Sequence, residues 1–138
     1  VAAMTEAVDL VRAETAPRIE QDPSGGSYEG WCTPDDVRID WHQDVDQIYN
    51  MIRGANPQPG AWTTVAGKRL TVLDSSKSDN TDGDPGTVIA ADASGITVAA
   101  NGGSICISRF KPQGGSKLSA AEMMEQSPLN AGDVLGVD

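Results

Sequence analysis

Apolar residues recur with a helical period in the middle of the chain. Positions i, i+3, i+4 and i+7 of an amphipathic helix are occupied by Val45, Ile48, Tyr49 and Ile52. Acidic residues stand at the start of this stretch, where the positive end of a helix dipole favours carboxylates. Gly54 and then two prolines follow it, so we expect the helix to end at that glycine.

Two further helices are predicted near the ends of the chain. Residues 4–14 carry apolar side chains on one helical face and are followed by Pro17, before which a helix normally ends. Ser119 and Glu122 form the S-x-x-E pattern of a capping box, and Pro128 stops the helix that this pattern begins. The polar, turn-rich residues 21–27 are the best candidate for a linker.

Short β-branched runs predict strands in the second half of the chain. They are separated by Ala-Gly, Ser-Gly and Asn-Gly turn signals. Five strands are expected, at residues 61–65, 68–73, 87–91, 96–100 and 105–110. Closely spaced short strands in this number suit a small closed barrel better than a sandwich. The chain is therefore predicted to be mainly β with flanking helices.

The charge of the chain bears on its partners. It has 20 Asp and Glu against 10 Lys and Arg, which gives a formal net charge of −10. Nonspecific nucleic-acid binding depends on cations that neutralise phosphates, so this balance argues against such binding. One arrangement would restore a nucleic-acid interface: a local patch of Lys68, Arg69, Arg109, Lys111 and Lys117.

Hydropathy and cysteine usage indicate a cytoplasmic protein. No window of the sequence has the apolar length of a membrane span. The two cysteines, Cys32 and Cys106, lack metal or redox spacing and are interpreted as free thiols in a reducing compartment. We therefore expect a cytoplasmic location and no membrane partner.

The usual signatures of a catalytic or metal site are missing from the sequence. His42 is the only histidine and is expected to be structural or solvated. Residues 78–84 resemble a calcium loop, but aligning Gly83 with the invariant loop glycine puts Ile89 where a bidentate Glu is required. A solvated acidic loop is preferred there, with a weak cation site as the alternative. No catalytic residue and no metal ligand is predicted.

One set of motifs is similar to a known family. An I-D-W tripeptide begins at Ile39, an N-x-I-R-G pattern occupies residues 50–54, and N-P-x-P-G-A-W-T runs over residues 56–63. A closing pattern of glycines, lysine and acidic residues follows at residues 114–117 and 132–136. This combination resembles the C-terminal domain of the formyltransferases that use 10-formyltetrahydrofolate. That family includes methionyl-tRNA formyltransferase and the hydrolase part of 10-formyltetrahydrofolate dehydrogenase.

The resemblance implies an OB-like Greek-key barrel over residues 31–138. Residues 1–30 would be the tail of a catalytic domain and its linker. The family's catalytic Asn, His and Asp, with their S-L-L-P loop, have no counterpart in this chain, so the resemblance implies a non-catalytic domain. It also implies that 10-formyltetrahydrofolate is bound by the absent N-terminal catalytic domain, which would be this domain's partner.

Three residues are expected to face the substrate or a partner. Arg53 has two interpretations: a charge that balances its own helix dipole, or a hydrogen-bonding strut that fixes either the following proline turn or the face between domains, and the strut is favoured. Asn56 belongs to that turn. Trp31 lies in a predicted loop and is expected to stack against the missing domain, whereas Trp41 and Trp62 are expected in the core.

The expected function is to shape acceptor binding in an enzyme that transfers a formyl group to an amine. Within the family, the alternatives are a 10-formyltetrahydrofolate hydrolase, in which water replaces the amine, and a methionyl-tRNA formyltransferase. A stand-alone OB-like interaction module is the alternative from another class. Because the chain is acidic, a small amine acceptor is favoured over tRNA.

Overall fold

The computed structural model describes residues 1–137, and the chain divides into two compact units. The first unit, Val1–Gly30, contains helix α1, Ala2–Arg12. This helix buries none of its side chains, and its apolar residues Met4, Val8 and Val11 are exposed. The helix predicted for residues 4–14 is confirmed, but it begins and ends two residues earlier, at Ala2 and Arg12. The second unit, Trp31–Asp138, contains the other elements.

The second unit begins with a 3₁₀ turn, Pro34–Val37, and helix α2, Val45–Ala55. Six strands follow: β1 Trp62–Val65, β2 Lys68–Ser78, β3 Val88–Asp92, β4 Gly95–Ala100, β5 Gly103–Pro112 and β6 Leu118–Ser119. Helix α3, Ala120–Gln126, continues directly from β6. Each of the five predicted strands is confirmed, and the two residues of β6 are an element that the sequence pattern did not predict.

Helix starts follow the predicted local chemistry. The Asp44 side chain caps α2 by accepting a hydrogen bond from the backbone N–H of Asp46, at 2.9 Å. In α3 the predicted capping box is confirmed. The Glu122 carboxylate accepts from the backbone N–H of Ser119 at 2.8 Å, and the Ser119 hydroxyl accepts from the backbone N–H of Glu122 at 3.3 Å. In each helix a side chain from the helix start thus satisfies one first-turn N–H, while the N–H of Val45 in α2 donates to the distant carbonyl of Asn101 at 2.9 Å.

All strand pairs are antiparallel, in the spatial order β1-β2-β5-β4-β3, with β6 paired to the end of β5. The long strands β2 and β5 form the centre, and their register shifts between Val72 and Ser75. Such an irregularity bends a strand and increases its twist. The apolar face of this sheet packs on α2 and α3 around Phe110, Ile48 and Ile105, which are fully buried.

The expected closed barrel is wrong in one respect: the sheet is open between β1 and β3. Residues 132–137, here called the terminal strap, span the gap by backbone hydrogen bonds. The N–H of Gly136 donates to the carbonyl of Thr64, next to the end of β1, and the N–H of Leu135 donates to the carbonyl of Gly86, both at 2.8 Å. Val88 of β3 also bonds the strap through both its N–H and its carbonyl. On β1 the carbonyl of Trp62 also accepts from the N–H of Ile39 at 2.8 Å, so the strap and this segment together take the backbone groups that β1 and β3 would otherwise offer to each other.

The two tryptophans that were predicted to lie in the core, Trp41 and Trp62, differ in burial. Trp41 is 3% exposed, and its indole N–H donates to the hydroxyl of the buried Thr63 at 3.0 Å. Trp62 is only partly buried and packs against the edge of the core. The prediction of a core position is therefore confirmed for Trp41, whereas Trp62 lies at the margin of the core.

Candidate functional site

A cleft of about 460 Å³ lies between the proline turn after α2 and the central strands β2 and β5. Residues 57–59 form one wall, and residues of β2, β5 and the turn 112–114 form the rest. Three cationic side chains line it: Arg69, Lys111 and Lys117. We call this feature the cationic cleft. It belongs entirely to the second unit of the chain.

The proline turn is held against β2 by its glycine and its asparagine. The N–H of Gly60 donates to the carbonyl of Ala55 at 2.9 Å, which ends α2. Gly60 has φ +81°, and a Cβ at this position would lie 2.7 Å from Thr71 Cγ2, so only glycine allows this close approach. The side-chain amide of Asn56 donates to the carbonyl of Leu73 at 3.2 Å. These contacts set the distance between the two walls.

Strand register brings the cations of the cleft together. Thr71 of β2 lies directly opposite Lys111 of β5, so their side chains leave the sheet on the same face. Arg69 precedes Thr71 by two residues and points to that face as well. The backbone carbonyl of Arg69 accepts from the N–H of Gln113 at 3.1 Å, which ties the following turn to β2. That turn leads on to Lys117.

The residues that line the cleft carry positive charge, opposite in sign to the net charge of the chain. No carboxylate occurs among the described residues that line it, although the chain as a whole has a net charge of −10. Other cations of this half of the chain are engaged elsewhere: Arg109 pairs with Asp74 at 3.6 Å, and Lys77 binds Asp46. The hydrogen bond to Asp46 raises the pKa of Lys77. A group of three cations without carboxylates is suited to an anion such as a phosphate.

A second groove, of about 530 Å³, adjoins the cationic cleft. It lies between the β1–β2 hairpin and the segment after α3, and its walls include Leu70, Met123 and Leu129. Lys68 lines this groove, and Arg69 and Pro112 line both features. Four of the five residues of the patch anticipated from sequence therefore lie along these two depressions, and Arg109 is the one that does not line either.

The structure corrects the favoured interpretation of Arg53. Its side chain is exposed, donates to the Asn50 side chain at 2.9 Å, and has its guanidinium carbon 4.9 Å from the centre of the Tyr49 ring. Both partners lie on α2 itself. The guanidinium therefore does not act as a strut for the proline turn; Asn56 supplies the donor there instead. That Arg53 faces a substrate or partner stays a prediction.

The other two predicted site residues have different surroundings. Asn56 supports the wall of the cationic cleft through its bond to Leu73, and its amide also lies 3.4 Å from Asp74 Oδ1. Trp31 is 97% exposed. Its expected stacking on a catalytic domain stays a prediction, as does a substrate-facing role for Asn56.

The remaining candidates of the sequence have ordinary surroundings. His42 is exposed, as expected, and its Nδ1 lies 3.2 Å from the Asp40 carboxylate. Cys32 is exposed and Cys106 is half-buried, and both are free. Within residues 1–137, no three His, Cys, Asp or Glu side chains are grouped so as to hold a metal ion. No helix in this part of the chain is long and apolar enough to cross a membrane.

A family model described as "Formyl transferase, C-terminal domain" matches residues 32–128. Among curated proteins, the chain is similar to methionyl-tRNA formyltransferases. It is 39% identical to that of Sorangium cellulosum over 134 residues, covering 93% of this chain and 43% of the relative. It is 34% identical to that of Thiobacillus denitrificans over 118 residues, covering 84% and 38%. The chain thus spans about two fifths of the length of the curated relatives it matches.

The fold is similar to that of HypX from Aquifex aeolicus. A crystal structure of HypX in complex with tetrahydrofolic acid matches with a TM-score of 0.61 and 19% identity, covering 100% of this chain and 26% of HypX. A HypX variant matches with a TM-score of 0.65 and 18% identity, covering 94% and 23%. At this identity the likeness supports the fold alone.

Proposed function

Since this chain belongs to the formyl transferase C-terminal domain family, we propose that it is the acceptor-binding domain of a methionyl-tRNA formyltransferase. The complete enzyme would transfer the formyl group of 10-formyltetrahydrofolate to the amino group of the methionine carried by the tRNA. This domain would hold the phosphate backbone of that tRNA in the cationic cleft while the rest of the protein performs the chemistry.

The observation that carries this proposal is the concentration of Arg69, Lys111 and Lys117 in one cleft. Phosphate contacts supply most of the sequence-independent affinity of proteins for nucleic acids, and they depend on local cations. The net charge of −10 counts the whole chain, including acidic side chains that do not line the cleft. An acidic protein can therefore still present one basic surface to RNA.

The acceptor proposed here differs from the small amine that the composition favoured. Two findings support the change. The relatives with 34–39% identity described above are named methionyl-tRNA formyltransferases. The pairing of β2 with β5 brings Arg69 and Lys111 to one cleft, and the turn after β5 brings Lys117 to it. A small amine that carries no anionic group would have no need for three cations, because its own charge has the same sign.

We assign no catalytic step to this chain. The residues that the family resemblance associates with catalysis and with the folate belong to a domain that this sequence does not match. The cations of the cleft can position a phosphate, but a general base for deprotonating an amine needs a group that is neutral or anionic near neutral pH. The chain alone should therefore release no formyl group from 10-formyltetrahydrofolate, as measured against a heat-denatured sample. Turnover by the pure chain would contradict this assignment.

Binding of unacylated initiator tRNA to the 138-residue chain tests the acceptor. Affinity would be measured by fluorescence anisotropy between 50 and 200 mM salt, for the wild type and for Lys111→Gln, Lys117→Gln and Lys77→Gln. Each cleft variant should reduce the slope of log affinity against log salt by about 0.7–0.9, the value for one phosphate contact. Lys77→Gln removes the same charge at the Asp46 ion pair and should leave the slope unchanged.

Two results would overturn the proposal. The first is no detectable tRNA binding by the wild type at 50 mM salt, which would favour the small amine acceptor. The second is an equal effect of Lys77→Gln and of the cleft variants, which would show that only the total charge matters.

A further inference from the structure

Trp62 occupies a place on the outer face of the sheet next to the cationic cleft. It is paired with Thr71, and Thr71 is in turn paired with Lys111, so the three residues form a row across β1, β2 and β5. Residues opposite each other in antiparallel strands point to the same face. Arg69, two residues before Thr71, shares that face. Trp62 is therefore a neighbour of the cleft cations, although it does not line the cleft itself.

The indole of Trp62 is held in a fixed position. Its N–H donates to the backbone carbonyl of Pro34 at 2.6 Å, and the ring packs partly against the core. The guanidinium carbon of Arg69 lies 4.4 Å from the ring centre, and that of Arg38 lies 5.4 Å from it. Both distances fall within the range of about 6 Å over which a cation is attracted to an aromatic face.

A guanidinium held over an aromatic face keeps its hydrogen-bonding capacity. A guanidinium is planar, and its five N–H donors point outward in that plane. When its face rests on an indole, the edge of the plane can still donate to an anion. Stacking also restricts a long side chain that would otherwise lose its rotamer freedom when a ligand binds.

We propose that Trp62 is a positioning residue for anion binding: its ring holds the Arg69 guanidinium at the cationic cleft, beside Lys111, with its N–H edge free for a phosphate. Arg69 is then the cleft cation that is oriented before the ligand arrives, whereas Lys111 and Lys117 are exposed side chains. This inference depends on the proposed function in one respect only: the ligand is taken to be a phosphate of the acceptor tRNA.

A double-mutant cycle with unacylated initiator tRNA tests this role. Trp62→Leu removes the aromatic face but keeps an apolar side chain, and it should weaken tRNA binding about two- to fivefold, the equivalent of an exposed cation–π contact. Trp62→Phe keeps an aromatic face and loses the bond to Pro34, and it should lie closer to wild type than the leucine variant. In an Arg69→Gln background, Trp62→Leu should have no further effect on affinity.

A second measurement does not depend on the stability of the variants. In a ¹H–¹⁵N spectrum of the wild type, the Nε–H resonance of Arg69 should be displaced by the ring current of Trp62, and inorganic phosphate should shift it further. A ring-current displacement that is absent in the folded wild type would overturn the positioning role. Urea melts of each variant would show that affinities are compared between folded proteins.

The cycle separates this inference from the proposed function. If Arg69→Gln, Lys111→Gln and Lys117→Gln all bind tRNA like the wild type, the proposed use of the cleft fails. If those variants weaken binding but Trp62→Leu does not, only the positioning role fails. Equal effects of Trp62→Leu with and without Arg69 would also overturn it, because they would show that the indole acts independently of the guanidinium.

Discussion

Replacing Leu135 by alanine tests whether the terminal strap closes the open side of the sheet. Leu135 is 3% exposed and belongs to the main core, while its backbone N–H bonds the carbonyl of Gly86. The substitution removes the buried side chain and leaves that backbone bond in place. Its effect therefore measures how much the core depends on the strap.

The expected loss follows from the burial of Leu135. Leucine-to-alanine changes in cores cost about 2–5 kcal/mol, as a sum of lost transfer free energy and the cavity left behind. The strap lies at one edge of the core and can relax inward, so we expect a loss of about 2–3 kcal/mol. For a unit of this size, that corresponds to a decrease in Tm of roughly 10–20 °C.

Urea melts followed by tryptophan fluorescence provide the assay. Trp41 lies beneath the strap, where a Cβ added at Gly136 would be 3.2 Å from its ring, so its emission should report strap displacement. Val134→Ala is the matched control, because Val134 is the preceding residue and is 51% exposed. The control should change the free energy of unfolding by no more than about 0.5 kcal/mol.

A Leu135→Ala variant as stable as Val134→Ala would refute this reasoning. It would show that β1 and β3 stay in place without the strap's side chain. A reduced m-value in the leucine variant would instead indicate a less cooperative or partly open native state. The helix α1 buries none of its side chains, so the measured transition is that of the second unit.

Three further predictions concern contacts at single residues. Arg53→Ala should lower the free energy of unfolding by less than about 1 kcal/mol in urea melts, because its contacts are exposed; a loss of 2 kcal/mol or more would restore the strut. Thr63→Val should lower the free energy of unfolding by about 1–3 kcal/mol, because it leaves the buried N–H of Trp41 unpaired. The double variant with Trp41→Phe should lose less than the sum of the two single losses. Fully additive losses would contradict this prediction. The backbone N–H and hydroxyl of Ser119 lower the pKa of Glu122. The ionised Glu122 carboxylate therefore contributes its full stabilisation above its ordinary pKa of 4.5, and this contribution is lost as the pH falls through the lowered pKa. Because Glu122→Gln has no such carboxylate, its stability in thermal melts should decline less below pH 4.5 than that of the wild type. Parallel pH profiles would contradict this.

Local patterns were enough to predict most elements of this protein. The spacing of Ile48 and Ile52 placed α2, and the pairing of Ser119 with Glu122 placed the start of α3. Both features depend on residues only a few positions apart in the sequence. The helical period alone brings such residues to one face of the helix or within hydrogen-bonding distance of each other. The strands could be predicted for the same reason, since β-branched runs and glycine turns are local signals. The motif at residues 50–63 also indicated the family that the family model matches.

The site could be predicted only in part. Asn56 was expected to face a substrate or partner, which stays a prediction; the structure shows that its side chain bonds the carbonyl of Leu73 beside the cationic cleft. The interpretation of Arg53 as a strut for the proline turn was wrong, because a sequence shows which donors are near in the chain but not which one points at a carbonyl. A role of Arg53 at the face between domains stays a prediction. Arg69, Lys111 and Lys117 were recognised only as a possible patch, since up to 48 positions separate them along the chain.

The tertiary structure decided what the strands enclose and which side chains meet. The register of β2 with β5 places Thr71 beside Lys111, and the register of β1 with β2 places Trp62 beside Thr71. A shift of one residue in either register would turn these side chains to the opposite face. The strap and the Arg38–Ile39 segment occupy backbone groups that a closed barrel would have used, and no local pattern encodes this competition between distant segments. The composition gives only the total charge of the chain. Strand pairing determines which charged side chains become neighbours, and in this way an acidic sequence forms a cationic cleft.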